Sequence, residues 1–131
     1  MKRMLFLNMK KVFIIIFTLI SFNCFAVEKN TTFTKEIFNK AQSEGKIVVV
    51  NSWNKFCFTC KKQTKILDQA ENEFKDVLFL SFEQKKDKEI ANFLKIDYWT
   101  TIVVYKNNKE IYRSIGETDK SEIYSAIQKG V

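Results

Sequence analysis

The chain has 131 residues, with 22 Lys and Arg against 15 Asp and Glu (net charge +7), three Cys, three Gly, no His and no Pro. That length holds one domain, and 46% apolar with 28% charged residues is a globular composition rather than a disordered or collagen-like one. Without histidine there is no Ser-His-Asp or Cys-His nucleophile and no His-ligated zinc, while a charge of +7 taken alone points toward nucleic acid or an anionic membrane.

The first segment changes both the charge and the cysteine count. Lys2, Arg3, Lys10 and Lys11 precede an apolar run from Val12 to Phe22, and Cys24-Phe25-Ala26 places small residues first and third before Glu28-Lys29-Asn30. Basic, apolar, then small-x-small is the order of a secretory signal peptide, so residues 1–26 are expected to be cleaved after Ala26, leaving a domain over 27–131. Met9-Lys10-Lys11-Val12 also opens a compact signal, which makes Met9 an alternative start. The competing reading is an uncleaved anchor, but Val12 to Val27 is shorter than the ~20 residues that span a bilayer. A lipid-modified Cys24 is disfavoured by its lead-in, Phe22-Asn23. Removing residues 1–26 takes away four bases and no acids, so +7 becomes +3. The nucleic-acid reading then loses its main support, and Cys57 and Cys60 remain in a compartment where disulfides persist.

Along the mature chain, Thr34 to Ser43 reads as an amphipathic helix with Ile37, Phe38 and Ala41 inward, stopped at Gly45. Ile47 to Val50 is too continuously apolar for a one-faced strand and is predicted to be central. Ile66, Leu67, Ala70 and Phe74 recur at helical spacing over Cys60 to Phe74, and Val77 to Phe82 is strand-like. Lys86 to Lys95 reads as a helix with Ile90, Phe93 and Leu94 on one side. Ile102 to Tyr105 and Glu110 to Ile115 are strands about Lys106-Asn107-Asn108-Lys109, where Asn-Asn tolerates the positive φ of a tight hairpin. Asp119 with Glu122 makes a capping box for a last helix through Ile127. Strands alternating with helices argue for parallel pairing, and the hairpin adds an antiparallel edge: an α/β sandwich with one mixed sheet.

Cys57-Phe58-Thr59-Cys60 falls between the buried strand and the helix that follows. A thiol at a helix N-terminus faces unpaired N–H groups and the positive end of the helix dipole, both of which favour thiolate, and Lys55, Lys61 and Lys62 add positive charge. Cys57 is therefore the expected nucleophile and Cys60, one turn in, the shielded resolving thiol. A permanent staple is the weaker reading, because closing four residues constrains the unfolded chain little. Two thiolates also supply half of a four-coordinate metal or cluster site, so metal handling stays open, as does an inactive domain.

The mature chain resembles a thioredoxin-like domain. Val48 to Lys61 looks like that family's active-site strand and turn, with Trp53 at its tryptophan and Phe56 at the aromatic before the first cysteine. Ile96-Asp97-Tyr98-Trp99-Thr100-Thr101-Ile102-Val103 looks like its second active-site loop, and Gly116 matches the glycine after the closing hairpin. The resemblance implies a thioredoxin-like α/β sandwich and a periplasmic thiol-disulfide oxidoreductase. It would use Cys57 and Cys60 with no other cofactor or metal, act on protein thiols and disulfides, meet a membrane or periplasmic redox partner, and exist as a monomer. Two positions depart from the family. Its buried acid corresponds to Asn51, which accepts no proton from Cys60. Its cis-proline corresponds to Thr100, where a cis peptide would cost about 2.5–4 kcal/mol; in the family that proline also keeps metals off the cysteines, so its loss raises the alternative of a metal or iron–sulfur carrier, as a dimer pooling four thiolates. Trp53 is read as core and Phe58 as surface, Phe56 and Trp99 as either; Phe56, Phe58, Trp99 and Thr100 form the expected substrate-binding patch, with Trp53 and Asn51 supporting it. Lys85-Lys86-Asp87-Lys88-Glu89 is read as a solvated turn and helix start without a partner.

Overall fold

In the computed structural model, residues 30–131 are described; the expected signal peptide, its cleavage point and Cys24 lie outside them. Among the described residues no helix is long and apolar enough to cross a membrane. The elements run α1 (Lys35–Ser43), β1 (Ile47–Trp53), α2 (Phe58–Glu73), β2 (Val77–Glu83), α3 (Lys88–Leu94), β3 (Thr101–Lys106), β4 (Lys109–Ile115) and α4 (Lys120–Gln128). That is the order expected from periodicity and turn residues.

The strands form one sheet in the order β2-β1-β3-β4. β1 pairs parallel with β2 and antiparallel with β3, and β3 pairs antiparallel with β4. Only one of the three pairings is therefore parallel, fewer than helix–strand alternation suggested. The reason is the connection through α3: it returns the chain so that β3 runs against β1, a direction that apolar periodicity does not encode.

Every residue of β1 is buried, as its unbroken apolar run requires of a central strand. Its side chains alternate between two cores. Val48 and Val50 join Phe38, Ala41, Phe82, Ala91, Leu94, Val103 and Tyr105 under α1 and α3. Ile47 and Val49 join Leu67, Ala70, Ile102, Val104, Ile123 and Ile127 under α2 and α4. Each fully buried Val, Leu, Ile or Phe among them contributes about 1.5–3 kcal/mol relative to exposure.

Local signals fix the ends of the elements. Thr34 caps α1, its hydroxyl accepting from the Ile37 N–H at 3.1 Å, and Gly45 turns the chain with φ +74°. Asp119 caps α4, accepting from the N–H groups of Ser121 and Glu122. Asn107 and Asn108 take φ of +51° and +60° in the hairpin, as the tight turn demands. The inward faces of α1 and α3 differ from expectation. Ile37 and Phe93 are exposed, while Gln42 and Ala91 are buried in their place. Gln42 is held inside by polar work: its amide donates to Lys46 O and accepts from the Asn108 N–H, tying α1 to the hairpin. In α3, only seven residues long, the compact Ala91 lies against the sheet and the Phe93 ring lies beside Phe33 and Phe38.

Tyr105 closes the first core, its ring edge-on to Phe38 at 5.0 Å. Burial, with the nearby Glu110 carboxylate second, pushes its hydroxyl up to about 12 from 10.0. The folded chain thus holds this proton to higher pH than the unfolded chain does. Its contribution to stability is complete below pH 10 and is lost as pH rises toward 12. In an ultraviolet titration of tyrosinate, Tyr105→Phe is expected to remove the step near 12 and to flatten the alkaline loss of stability.

Candidate functional site: the Cys57–Cys60 pair and the loop beside it

The carboxyl end of β1 delivers Trp53 and the turn 54–57 to the start of α2, and Cys57 is the N-cap of that helix. Its Sγ accepts from the Cys60 N–H at 3.0 Å, so the sulfur occupies the place a serine or aspartate oxygen takes at other helix starts. An N–H donor and the helix dipole aimed at one sulfur favour its thiolate. Cys57 and Cys60 are joined as a disulfide with a Cα–Cα distance of 5.2 Å. Cys57 is 8% exposed and Cys60 0%, which leaves Cys57 as the sulfur with an open side. The helix begins at Phe58 with Cys57 as its cap, which puts Cys57 at the helix start and Cys60 within the first turn, as the sequence reading placed them.

Trp53 lies under the pair, buried with both cysteines. Phe56 and Phe58 stand out from the turn, 74% and 67% exposed, and Trp99, at 40%, faces solvent from the opposing loop beside exposed Tyr98. The sequence left Phe56 and Trp99 between core and surface; both are on the surface.

Loop 96–100 is irregular, and its carbonyls are nonetheless accounted for one by one. Buried Gln84 donates to Ile96 O and Asp97 O at 3.3 and 3.0 Å. The hydroxyls of Ser52 and Thr101 both donate to Tyr98 O at 2.7 Å. The Thr100 hydroxyl donates to Trp99 O. Thr100 O accepts from the Gly116 N–H at 2.8 Å and from the Gln63 amide at 3.0 Å. Gln63 also donates to Glu117 O at 2.8 Å, so one side chain of α2 fastens the Thr100 loop and the chain leading to α4.

Asn51, at the position of the family's buried acid, is itself buried. Its amide nitrogen reaches Gln63 Oε1 at 3.4 Å and Thr101 O at 3.5 Å, while Asn51 Oδ1 and Trp53 Nε1 have no hydrogen-bond partner. Beneath the cysteines lies an uncharged amide pair. Thr100 has φ +64°, and the described residues contain no cis peptide. Positive φ is costly for a β-branched residue; here the conformation is imposed by the bonds around it, including the Thr100 N–H to Ser52 O at 2.9 Å. Proline fits neither that φ nor that N–H, so residue 100 and the local backbone agree in departing from the family.

Ser52, Gln63 and Gln84 were not singled out from the sequence. Gln63 carried a readable signal: it falls on the stripe Cys60, Gln63, Leu67, Ala70 that faces inward, and an amide on an apolar stripe is there to bond something.

The thioredoxin family model matches residues 25–129. The chain belongs to the thioredoxin family. Thioredoxin from Mycoplasma genitalium is 34% identical over 89 residues, covering 68% of this chain and 83% of that one. Thioredoxin from Chlamydia trachomatis is 25% identical, covering 63% and 81%. Among solved structures, Trxlp from Edwardsiella tarda superposes with a TM-score of 0.68 at 25% identity, covering 72% of this chain and 94% of that one. A thioredoxin from Nicotiana alata gives a TM-score of 0.67 at 23% identity, covering 73% and 83%. This thioredoxin-like chain, with its cysteine pair at disulfide distance, is a dithiol–disulfide oxidoreductase.

Proposed function

We propose that the protein is an exported, periplasmic oxidoreductase that exchanges disulfides with protein partners through Cys57 and Cys60, without a further cofactor. The observation that carries the site chemistry is the Cys57 sulfur at the head of α2, accepting the Cys60 N–H, with Phe56 and Phe58 on either side of Cys57 in the chain and, like Trp99, exposed. Export is supported by the order of residues in 1–26.

In the reducing direction, the Cys57 thiolate attacks one sulfur of a partner disulfide, forming a mixed disulfide and releasing the other sulfur as thiolate. Cys60 then loses its proton and attacks Cys57 Sγ. The Cys57–Cys60 bond forms, the mixed disulfide breaks, and two electrons have passed to the partner. A dithiol partner runs the same steps backward. Since Asn51 takes no proton, that of Cys60 leaves to solvent or to the departing thiolate. The metal-carrier alternative suits the donor set less well. Among the described residues no group of three or more His, Cys, Asp and Glu is placed to hold a metal, so a second chain would have to complete the site.

Expression of the full chain with Cys60→Ala in a Gram-negative host tests the reading. Protein recovered from the periplasm is expected to begin at Val27 by mass spectrometry and to carry disulfide-linked partners that reductant releases. Retention of residues 1–26 would count against export as read here, and an absence of linked partners would sink the exchange reaction.

A further inference from the structure

Phe56, Phe58 and Trp99 each carry a lysine. Lys55 Nζ stands 5.9 Å from the Phe56 ring centre, Lys62 Nζ 5.1 Å from Phe58, and Lys85 Nζ 5.2 Å from Trp99. The lysines come from three separate places: the turn before Cys57, the first turns of α2, and the segment between β2 and α3. All are exposed, and the ion pairs Lys46–Glu44 and Arg113–Glu110 do not involve them. Two acids on this side cap backbone groups: Glu117 accepts from the Thr118 and Asp119 N–H groups at 2.8 and 2.7 Å, and Asp87, in the segment that carries Lys85, accepts from the Glu83 N–H at 3.0 Å.

We infer that this ring of lysine-topped aromatics selects disulfides whose flanking residues are acidic: the partner is a polypeptide with carboxylates beside the reacting sulfur. The inference rests on the exchange reaction proposed above and adds its substrate class. An ammonium over an aromatic face keeps its charge and is drawn toward that face. A carboxylate arriving near the cysteine pair meets the lysines that stand over Phe56, Phe58 and Trp99, while the exposed rings offer apolar surface to an extended chain. Charge arranged in this way acts mainly on encounter and on the choice of partner.

Two disulfide-bonded peptides, identical except for aspartate or lysine on either side of the cystine, provide the test with the reduced protein. At low ionic strength the acidic peptide is expected to be reduced with kcat/KM about ten-fold higher, the ratio falling toward one in ~0.5 M salt. In the triple variant Lys55→Gln, Lys62→Gln, Lys85→Gln the ratio is also expected to fall toward one. Taking a ratio of two substrates on one protein cancels any change in the thiols themselves. Equal rates, or a preference for the basic peptide, in wild type would overturn the inference while leaving the exchange reaction standing. A preference that persists in the triple variant would remove it from these lysines. If neither peptide turns over, nor neutral hydroxyethyl disulfide, the exchange reaction itself fails and the inference with it.

Discussion

Cys57→Ser is expected to abolish disulfide exchange, a loss on the order of 10³-fold or more in turnover, since no other thiol among the described residues has an open side. Cys60→Ser is expected to behave differently. Its Cys57 can still open a partner disulfide once, because the N–H and dipole that favour the thiolate belong to the helix and not to the Cys60 side chain. Quenched-flow measurement of released thiol is then expected to show a burst of one equivalent per protein with no steady turnover. Equal loss in both variants, without a burst, would mean that the roles assigned to the two sulfurs are wrong. A burst from Cys57→Ser would mean that they are reversed.

Gln63→Met should give the largest loss of stability among polar substitutions near the site. Methionine is close to glutamine in volume, so the change leaves little cavity. It does remove the donor to Glu117 O and one of the two donors to Thr100 O, along with the acceptor used by Asn51. Each buried group left unpaired costs about 1–3 kcal/mol, and Thr100 O keeps its bond from Gly116. A loss of about 2–4 kcal/mol is therefore expected, read as a lower urea midpoint at unchanged slope. If Gln63 only fills space, the same change should cost less than about 1.5 kcal/mol.

The parts of the fold that depend on neighbouring residues could be read directly from the chain. The unbroken run Ile47–Val50 marks a central strand, Asn107-Asn108 a tight hairpin turn, and Thr34 and Asp119 helix starts. The cysteine pair was legible for a similar reason, since Cys57 and Cys60 act through spacing and position on one helix. What stayed hidden depends on residues distant in sequence. Gln63 is interpretable only once Thr100 and Glu117 are beside it, and Gln84 only beside Ile96 and Asp97. The run from Lys85 to Glu89 looked like a solvated turn, and most of it is exposed; that Lys85 reaches Trp99 follows from the fold, which sets β2 against β1 and the 96–100 loop. Ile37 and Phe93 erred the other way, because helical spacing places a residue on a face without telling how much of that face the sheet covers.

The sulfur that caps α2 also ties the folding of that helix to the electron balance of the protein. The Cys60 N–H points at Cys57 Sγ in the disulfide, where the sulfur is a poor acceptor, and it would bond far more strongly to a full thiolate. Whatever favours the thiolate lowers the energy of the reduced protein relative to the oxidised one, and so raises the reduction potential above that of the same pair in an unstructured chain. Secondary structure and redox poise therefore share a single hydrogen bond, and substitutions that loosen the first turn of α2 would make the dithiol a stronger reductant even where they touch neither cysteine.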